Sequence, residues 1–549
     1  MNRNINLLWK DFKGIRKLNS VNSDTVLAAD IAHNIRLSKE KSGQFRSIRS
    51  SGWSRVFTAM TENVVRLFSA NMSGYGAPDQ LIAFTKTDSA INVWLVYDST
   101  NNLVKEKIAT FDLADDVTDV CMVQWGDRLV MVVAFGTNKL GFVCYSATAL
   151  TGWTQMASTG FYYREESIKE SDTHASVNQI KRIKPYRSRL AINGVTSYSE
   201  NDVETIYGVW FSEAANPINF TKDYITSATD TSAFYVETGE YVNQLEEYHG
   251  LTAFCRNRSY NITGSSQSDI KVEPLTAKGV FGNATFTING KCGYIDSWSN
   301  NIFTLRDNID GTIGFDDPVG DDIQDYLADV SEVTVNVLGR RVRILKPSGQ
   351  SLVFDVDIGE WTEETLVENS RAVTFLDTEY ACDGTGNIFF VNDSWGVNST
   401  QIPNENGYYS HYRTNLIWLD SQSSVKSHLY PFAVVLEPQT SNDFFIKFTT
   451  DRGDSFEGRV TKASFQNVAT YSNDDSVPED GSQFVSDDED TSGRVFFAMS
   501  QTELLVTVDR PPFWRYLQID IYTTSPSQQF NISGIEAKNT VISDEMLEY

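Results

Sequence analysis

From about residue 78 to 400 the chain repeats one pattern: a short apolar stretch, a tight polar turn, then a second apolar stretch. Gln80 to Thr85 turns at Lys86-Thr87-Asp88-Ser89 into Ile91 to Tyr97, and Arg128 to Phe135 turns at Gly136-Thr137-Asn138-Lys139 into Leu140 to Tyr145. Apolar runs of strand length bounded by residues that tolerate turn dihedrals predict β-hairpins. The pattern returns as Gly250 to Cys255 with Ser259 to Thr263, Cys292 to Ile295 with Ile302 to Leu305, Arg341 to Leu345 with Ser351 to Val356, and Tyr380 to Cys382 with Ile388 to Val391. A looser copy joins Arg189 to Val195 with Tyr207 to Phe211.

Taking Trp94, Val143, Trp210, Tyr260, Phe303, Val353 and Phe389 as equivalent positions, the intervals are 49, 67, 50, 43, 50 and 36 residues. A small sheet of this size leaves apolar faces that must stack on a neighbour, so the repeat predicts a β-propeller of six or so blades. Two second strands lead through a short excursion to a Trp: Leu352 to Asp355 reaches Gly359-Glu360-Trp361, and Phe142 to Tyr145 reaches Thr151-Gly152-Trp153. These rings are expected to pack between blades rather than to form a ligand platform.

The rhythm differs at both ends. Short apolar stretches broken by basic residues, Asp30 to Arg36 and Gly43 to Arg49, predict an extended N-terminal arm with edge strands over residues 1–60. Residues 54–70 fit one helix or two strands, and periodicity does not separate the two. The propeller is assigned to 61–405. Beyond it, longer alternating runs (Phe432 to Leu436, Phe444 to Thr450, Leu504 to Val508, Tyr516 to Tyr522, Phe530 to Ile535) predict a β-sandwich-like C-terminal domain over 406–549. The fold class is therefore all-β.

Charge sharpens the division. Residues 1–60 carry 11 Lys/Arg and 4 Asp/Glu, whereas 441–549 carry 8 and 19. Residues 473–490 hold eight acids and no cation, a stretch expected to stay solvated and unlike a Ca²⁺ loop in its spacing. A total of −26 over 549 residues excludes a generally basic nucleic-acid-binding surface. The opening residues contain no apolar run of signal-peptide type, and no window approaches the ~18 apolar residues of a membrane-spanning helix. Cys121, Cys144, Cys255, Cys292 and Cys382 are scattered and suit neither a disulfide framework nor zinc, so buried thiols are expected.

Catalytic patterns are missing from the sequence. His33, His174, His249, His411 and His428 sit in no nucleophile motif, and no phosphate-binding glycine loop or zinc-protease signature occurs. His249, in Tyr248-His249-Gly250, is expected at a turn. Thr449 to Phe456 (TTDRGDSF) resembles the Asp box of sialidases, which in that family is a hairpin turn remote from the chemistry. The expectation is a non-enzyme with no cofactor and no metal. Two basic clusters stand out: Lys181, Arg182, Lys184, Arg187 and Arg189 in one, Arg340, Arg341, Arg343 and Lys346 in the other. Lys181 to Arg189 and Arg340 to Arg343 are the candidates for contact with DNA or a neighbouring subunit.

Several segments resemble the packaged-DNA stabilisation proteins, the tail hub or nozzle proteins of short-tailed bacteriophages. Asp30 to Leu37 followed by Gly43 to Arg49 and Gly52 is similar to the family's opening; Trp210 to Glu213 with Asn216 to Phe220 resembles a strand and turn of phage propeller subunits. Tyr248 to Thr263, Gly279 to Trp298 and Arg515 to Glu536 look like its blade hairpins and terminal strands. The resemblance implies a ring, usually of six subunits, below the portal and adaptor, which closes the filled capsid and passes DNA during ejection. It implies a virion tail location after synthesis in the host cytoplasm. The implied partners are further copies of the chain, portal-adaptor ring proteins, tail fibres or tailspikes, and transiently the double-stranded genome. Arg3, Lys10, Lys13, Arg16 and Lys17 are then the candidate adaptor contacts. A glycan-binding propeller or glycoside hydrolase, and a fibre-adaptor or receptor-binding subunit, are the competing readings.

Overall fold

A computed structural model describes residues 3–9, 11–16, 26–39, 46–50, 53–55, 60–88, 90–98, 105–112, 117–135, 142–148, 151–155, 162–163, 175–176, 179–199, 203–220, 231–275, 279–288, 290–309, 313–316, 318–327, 333–365, 371–382, 384, 386–391, 409–418, 426–428, 432–436, 444–450, 455–460, 470–472, 494–496, 502–506, 513–514, 516–525 and 530–543. Among them the single α-helix is the four-residue Gln324–Leu327, and strands make up nearly all other regular structure. The chain divides into two compact units: residues 55–351 with 366–390, and residues 1–54 with 352–365 and 391–549.

The first unit is a β-propeller. Asn63–Ala70, Gln80–Lys86, Ala90–Asp98 and Glu106–Asp112 form one four-stranded antiparallel blade. Val117–Trp125 through Thr151–Gln155 form the next, Ile183–Tyr186 through Phe234–Glu237 the third, and Val242–Glu247 through Lys271–Pro274 the fourth. Val280–Ile288, Lys291–Asp296, Ile302–Asp307 and Ile313–Phe315 meander in the same order. Thr334–Leu338 pairs with Arg341–Leu345. The last blade comprises Arg371–Phe375, Thr378–Cys382 and Ile388–Val391, with Trp53–Arg55 as its outer strand. Five of these sheets are self-contained and four-stranded.

The first strands adjoin one another in a closed circuit: 63–70, 117–125, 183–186, 242–247, 280–288, 334–338, 371–375 and back to 63–70. That circuit has seven members, where the sequence spacing suggested six or so blades. Each predicted hairpin supplies strands two and three of its sheet, and the seven equivalent positions from Trp94 to Phe389 fall one to each member of the circuit. The stretch 54–70 resolves into strands Trp53–Arg55 and Asn63–Ala70. Blades cohere through apolar clusters: Ile82, Phe84 and Val93 of the first meet Val130, Met131 and Val132 of the second, while Phe211, Phe234 and Val236 of the third meet Leu245, Leu251 and Ile262 of the fourth. The seam between last and first blades holds Phe375, Tyr380 and Ile388 against Val64, Leu67 and Leu81. There Gly386 (φ +104°) accepts a hydrogen bond from the Met60 amide at 2.7 Å, and a Cβ would press on the Met60 and Glu62 carbonyls.

The second unit is also β. Ser455–Val460, Phe444–Thr450, Tyr516–Tyr522, His411–Thr414 and Val26–His33 lie side by side antiparallel; Asp11–Ile15 and Glu360–Thr365 run parallel to Val26–His33. A second row places Thr502–Val506, Phe432–Leu436, Asn531–Ser543, Arg46–Ser50 and Ile35–Lys39 in order, with Arg3–Trp9 also paired to Asn531–Ser543. Strict alternation buries Phe444, Ile446 and Phe448 with Leu517, Ile519 and Ile521 on one face, as a half-buried sheet requires. The boundaries drawn from sequence treated 1–60 as a separate arm and 406–549 as an independent domain. In the structure the N-terminal strands belong to the unit that 391–549 builds, Val26–His33 lying between partners while Arg3–Trp9 and Ile35–Lys39 pair on one side, because their apolar residues (Phe12, Ile15, Leu27, Ala29, Ile35) are buried there.

Candidate functional site

The cluster from Lys181 to Arg189 spans the innermost strand of the third blade and the turn after it. Arg187 at that turn has φ 53°, and its guanidinium lies over the Tyr186 ring at 5.5 Å. The chain then reverses, and Arg189 points inward with 1% of its surface exposed. Its Nε donates to the Ser265 carbonyl at 2.8 Å, and its Nη1 to the carbonyls of Ser212 (2.6 Å), Ser232 (2.9 Å) and Thr231 (3.2 Å). The guanidinium also lies 5.1 Å from the Phe234 ring. A planar fork of five donors suits several carbonyls at once, and here it rivets the third blade to the fourth.

Neighbouring side chains cross the same junction. Arg182 Nε donates to the Asn243 carbonyl at 3.1 Å, and Tyr186 Oη to the Gly264 carbonyl at 2.8 Å. Asn193 accepts the Lys181 and Arg182 amides and donates to the Val242 carbonyl at 2.7 Å. Lys184 Nζ reaches Glu246 Oε2 at 2.6 Å, and Thr285 Oγ1 of the fifth blade donates to Glu246 Oε1 at 2.8 Å. Burial pulls the Lys184 ammonium down, but the Glu246 carboxylate outweighs it and holds the group above its ordinary value. Lys181 is exposed.

The second cluster behaves alike. Arg343 and Glu379 form a buried pair at 2.7 Å, 2% and 3% exposed, between the sixth and seventh members of the circuit. Asn336 Nδ2 donates to the same Glu379 oxygen at 2.8 Å, and Arg343 Nη1 to Ser351 Oγ at 3.1 Å. Arg340 is exposed at the Gly339-Arg340 turn, and Arg341 is half-buried. The cations expected to meet DNA or a neighbour therefore divide. Arg189 and Arg343 cannot reach a phosphate, because their guanidinium groups are enclosed and bonded inside the propeller. Lys181, Arg187 and Arg340 keep exposed positions.

The arm cations also have internal partners. Lys13 lies 3.2 Å from Asp11 and 3.7 Å from Glu360, and Arg16 Nη2 donates to Glu360 Oε1 at 3.2 Å. Glu360, only 4% exposed, accepts the Gly14 amide at 3.1 Å, and a side chain at Gly14 would collide with the Trp361 carbonyl. Arg3 sits in a strand paired opposite Ile542. Lys10 and Lys17 lie outside the described residues, as do Asp451 to Asp454 of the Asp-box-like turn and the acidic run 473–490. Sequence reading missed Glu246, Glu379, Glu360 and Asn193; no local signal marks an acid whose cation partner is dozens to hundreds of residues away.

The remaining titratable groups among the described residues are held by local partners. Asp307 Oδ1 meets both Tyr248 Oη (3.1 Å) and His249 Nε2 (3.0 Å), with His249 at the expected turn and φ 51°. Burial, then the hydrogen bond to Asp307, pushes the Tyr248 phenol up to about 12, so it stays protonated near neutrality. Burial likewise pushes the Cys255 thiol up to about 12 and raises Cys292 further, which leaves both inert as nucleophiles. Glu62 accepts from Thr85, Asn92 (2.8 Å) and Trp94 (3.4 Å); burial alone would raise its carboxyl, but these donors hold it below the ordinary value. Trp361, expected between blades, is instead buried in the second unit against Phe354 at 4.6 Å, and Trp210 stacks on Tyr235 at 6.1 Å. Among the described residues no three His, Cys, Asp or Glu side chains gather as a metal-binding group, and no helix is long and apolar enough to cross a membrane.

No family model and no curated protein matches the chain. Solved structures that align with it include BBS1N in complex with ARL6DN (9% identity, TM-score 0.34, covering 62% of this chain and 96% of that one). YCF48 from Cyanidioschyzon merolae aligns at 11% identity and TM-score 0.35 over 62% of this chain and 98% of that one. YCF48 bound to D1 peptide aligns at 10% and 0.35, over 64% and 97%. At this distance none of them bears on function, and the propeller assignment stands on the chain's own sheet topology.

Proposed function

We propose that this chain is a non-enzymatic structural subunit of a short phage tail, a β-propeller nozzle that assembles with further copies below a portal and adaptor. In that role it retains packaged DNA and conducts it during ejection. The observation that carries the reading is how the propeller uses its cations. Arg182, Lys184, Arg189 and Arg343 are committed to internal carbonyls and carboxylates, while the whole chain keeps a charge of −26. A conduit works by not gripping its cargo, since strong phosphate contacts oppose sliding. An acid surplus with Arg182, Lys184, Arg189 and Arg343 held by internal partners, and only Lys181, Arg187 and Arg340 of the two clusters exposed, suits such a wall. The resemblance of Asp30 to Leu37, Trp210 to Phe220 and Arg515 to Glu536 to the tail hub proteins supports the same reading.

The test is mass measurement with negative-stain imaging of the purified chain, alone and mixed with candidate portal-adaptor rings. A closed ring with an opening wide enough for a duplex is the expected result. Single propellers that ignore the adaptor at high concentration would overturn it. Heterologous contacts are required, because two different faces of each copy must meet around a ring.

A further inference from the structure

Trp298 stands out among the described residues of the propeller as a large aromatic with 71% of its surface exposed. It lies in the turn between Lys291–Asp296 and Ile302–Asp307, and that turn is fixed by its own bonds. Asp296 Oδ2 accepts the Ser299 amide at 2.9 Å and the Ser299 hydroxyl at 2.7 Å. Asn300 takes a φ of 50°, and its amide donates to the Asp296 carbonyl at 3.1 Å. Asp and Asn are residues that bond their own backbone and tolerate such dihedrals. A rigid turn that keeps an indole in water holds a large contact area ready, with little ordering left to do on binding.

Opposite charges flank it. Toward the fourth blade, Ser297 Oγ donates to the Arg256 carbonyl at 2.7 Å, which joins this turn to the one that carries Arg256 and Arg258, both exposed. The Arg256 guanidinium lies 5.6 Å from the Phe281 ring, and Arg258, 65% exposed, lies 3.8 Å from Glu240. Toward the sixth member of the circuit runs the segment that leads on to Thr334–Leu338. Asn301 accepts its Gly320 amide at 2.9 Å and donates to its Asp321 carboxylate at 2.7 Å, and the Val319 amide donates to the Ile302 carbonyl at 3.0 Å. These bonds set the exposed Val319 and Asp321 beside the Trp298 turn, and the exposed Asp325 follows in Gln324–Leu327. The order across this end of the propeller is therefore cation, indole, acid.

We infer that this patch docks a second copy of the same chain about a two-fold axis near Trp298. In such a contact residue i meets j and j meets i, so a patch fits itself when one flank complements the other. Arg256 and Arg258 of each copy then face Asp321 and Asp325 of the other, around a centre of Trp298 and Val319. Trp and Arg are the residue types that carry most of the energy at interface centres. An anionic partner of another kind would meet the arginines but be repelled at the acidic flank, whereas a copy of the chain satisfies both. The repulsion between two chains of net −26 is screened beyond about 8 Å at physiological salt and leaves the close pairs to decide. The inference goes beyond the nozzle reading: ring contacts are heterologous, and this one joins either two single chains or two whole rings.

The full chain is sized by analytical ultracentrifugation at about 0.15 M salt and protein concentrations up to about 100 μM. Trp298→Ser should halve the mass of the parent species, from dimer to monomer or from double ring to single ring. Arg256→Asp with Arg258→Asp, and Asp321→Lys with Asp325→Lys, should each weaken the two-fold association by about tenfold or more. Mixing these two variants should restore it, because an all-acidic copy then faces an all-basic one at both flanks. Should the Asp321 change cost the variant its β-sheet circular dichroism, Asp325→Lys alone takes its place in the mixture. A mixture that stays apart would overturn the two-fold arrangement. A parent that remains monomeric, or a Trp298→Ser variant of parent mass, would overturn the docking surface itself. A single ring indifferent to Trp298→Ser would remove this inference and leave the nozzle reading standing.

Discussion

The junction between the first and second blades and that between the third and fourth solve the same packing problem with different chemistry. At the first, Ile82, Phe84 and Val93 interlock with Val130, Met131 and Val132, and Arg66 sends one bond across to the Val120 carbonyl at 2.8 Å. At the second, an apolar layer is bordered by Arg182, Tyr186, Arg189 and Asn193, which all donate into the next blade. Apolar contact is tolerant of small shifts, whereas Arg189, held by three carbonyls of its own blade, reaches Ser265 of the next and, with Arg182, Tyr186 and Asn193, fixes one relative position of two blades. A propeller whose blades share no sequence motif can therefore hold a common circuit with unequal glue.

Removing the rivet should show the largest effect. Arg189→Ala removes a buried guanidinium that donates to the carbonyls of Ser212, Thr231, Ser232 and Ser265, and should cost about 4 kcal/mol of unfolding free energy in a denaturant titration. A loss below about 1 kcal/mol would mean that water replaces the guanidinium and that the junction rests on its apolar layer. Ile82→Ala at the apolar junction should cost about 3 kcal/mol, with the lost methyl and methylene contacts only partly recovered by collapse. Equal and small losses at both sites would erase the contrast.

Arg343 and Glu379 sharpen it from the other side. Replacing both by apolar residues of similar volume, Arg343→Met with Glu379→Leu, should change stability by no more than about 1 kcal/mol, although Arg343→Met alone should cost about 3 kcal/mol by leaving Glu379 charged and buried. Comparing the double variant with the single in the same titration separates what the pair adds from what breaking it costs.

The smallest effect concerns the loop that presents the Ser265 carbonyl to Arg189. Asp269 accepts the Ser265 and Ser266 amides at 2.8 and 2.6 Å, and these bonds hold its carboxyl well below the ordinary range. A depressed folded-state value contributes stability above the unfolded value, about 3.9, and loses it as pH falls toward the folded one. The stability difference between the parent and Asp269→Asn should be constant at neutral pH and shrink below about pH 4. A difference that persists unchanged into strong acid would show that the loop is held by other contacts.

Much of the propeller was readable in the chain. Each hairpin marked by polar turns, from Lys86–Ser89 to the residues between Cys382 and Ile388, has its strands where expected, because alternation and turn chemistry act within a few residues. The innermost strands were harder. Ile183–Tyr186 and Val242–Glu247 mix apolar and charged positions, since Lys184 and Glu246 meet each other across the junction between the two blades. The same mixture made Lys181 to Arg189 look like a surface patch. Arg189 differs from Arg187 by two positions, yet the turn between them sends one guanidinium to an exposed place and the other inside.

The sequence by itself determined the all-β class, the repeat, the location of the hairpins and the acid surplus, all of which depend on local pattern or on summed composition. Only the tertiary structure decided that seven inner strands close one circuit, that residues from both chain ends and the 360–365 strand build the second unit, and that Arg189, Arg343 and Glu360 spend their charges internally. His33 and His411 come into register for the same reason. Their meeting depends on which strands lie side by side, and strand order is fixed by the burial of alternating faces across hundreds of residues, a sum over the whole chain that no short stretch contains.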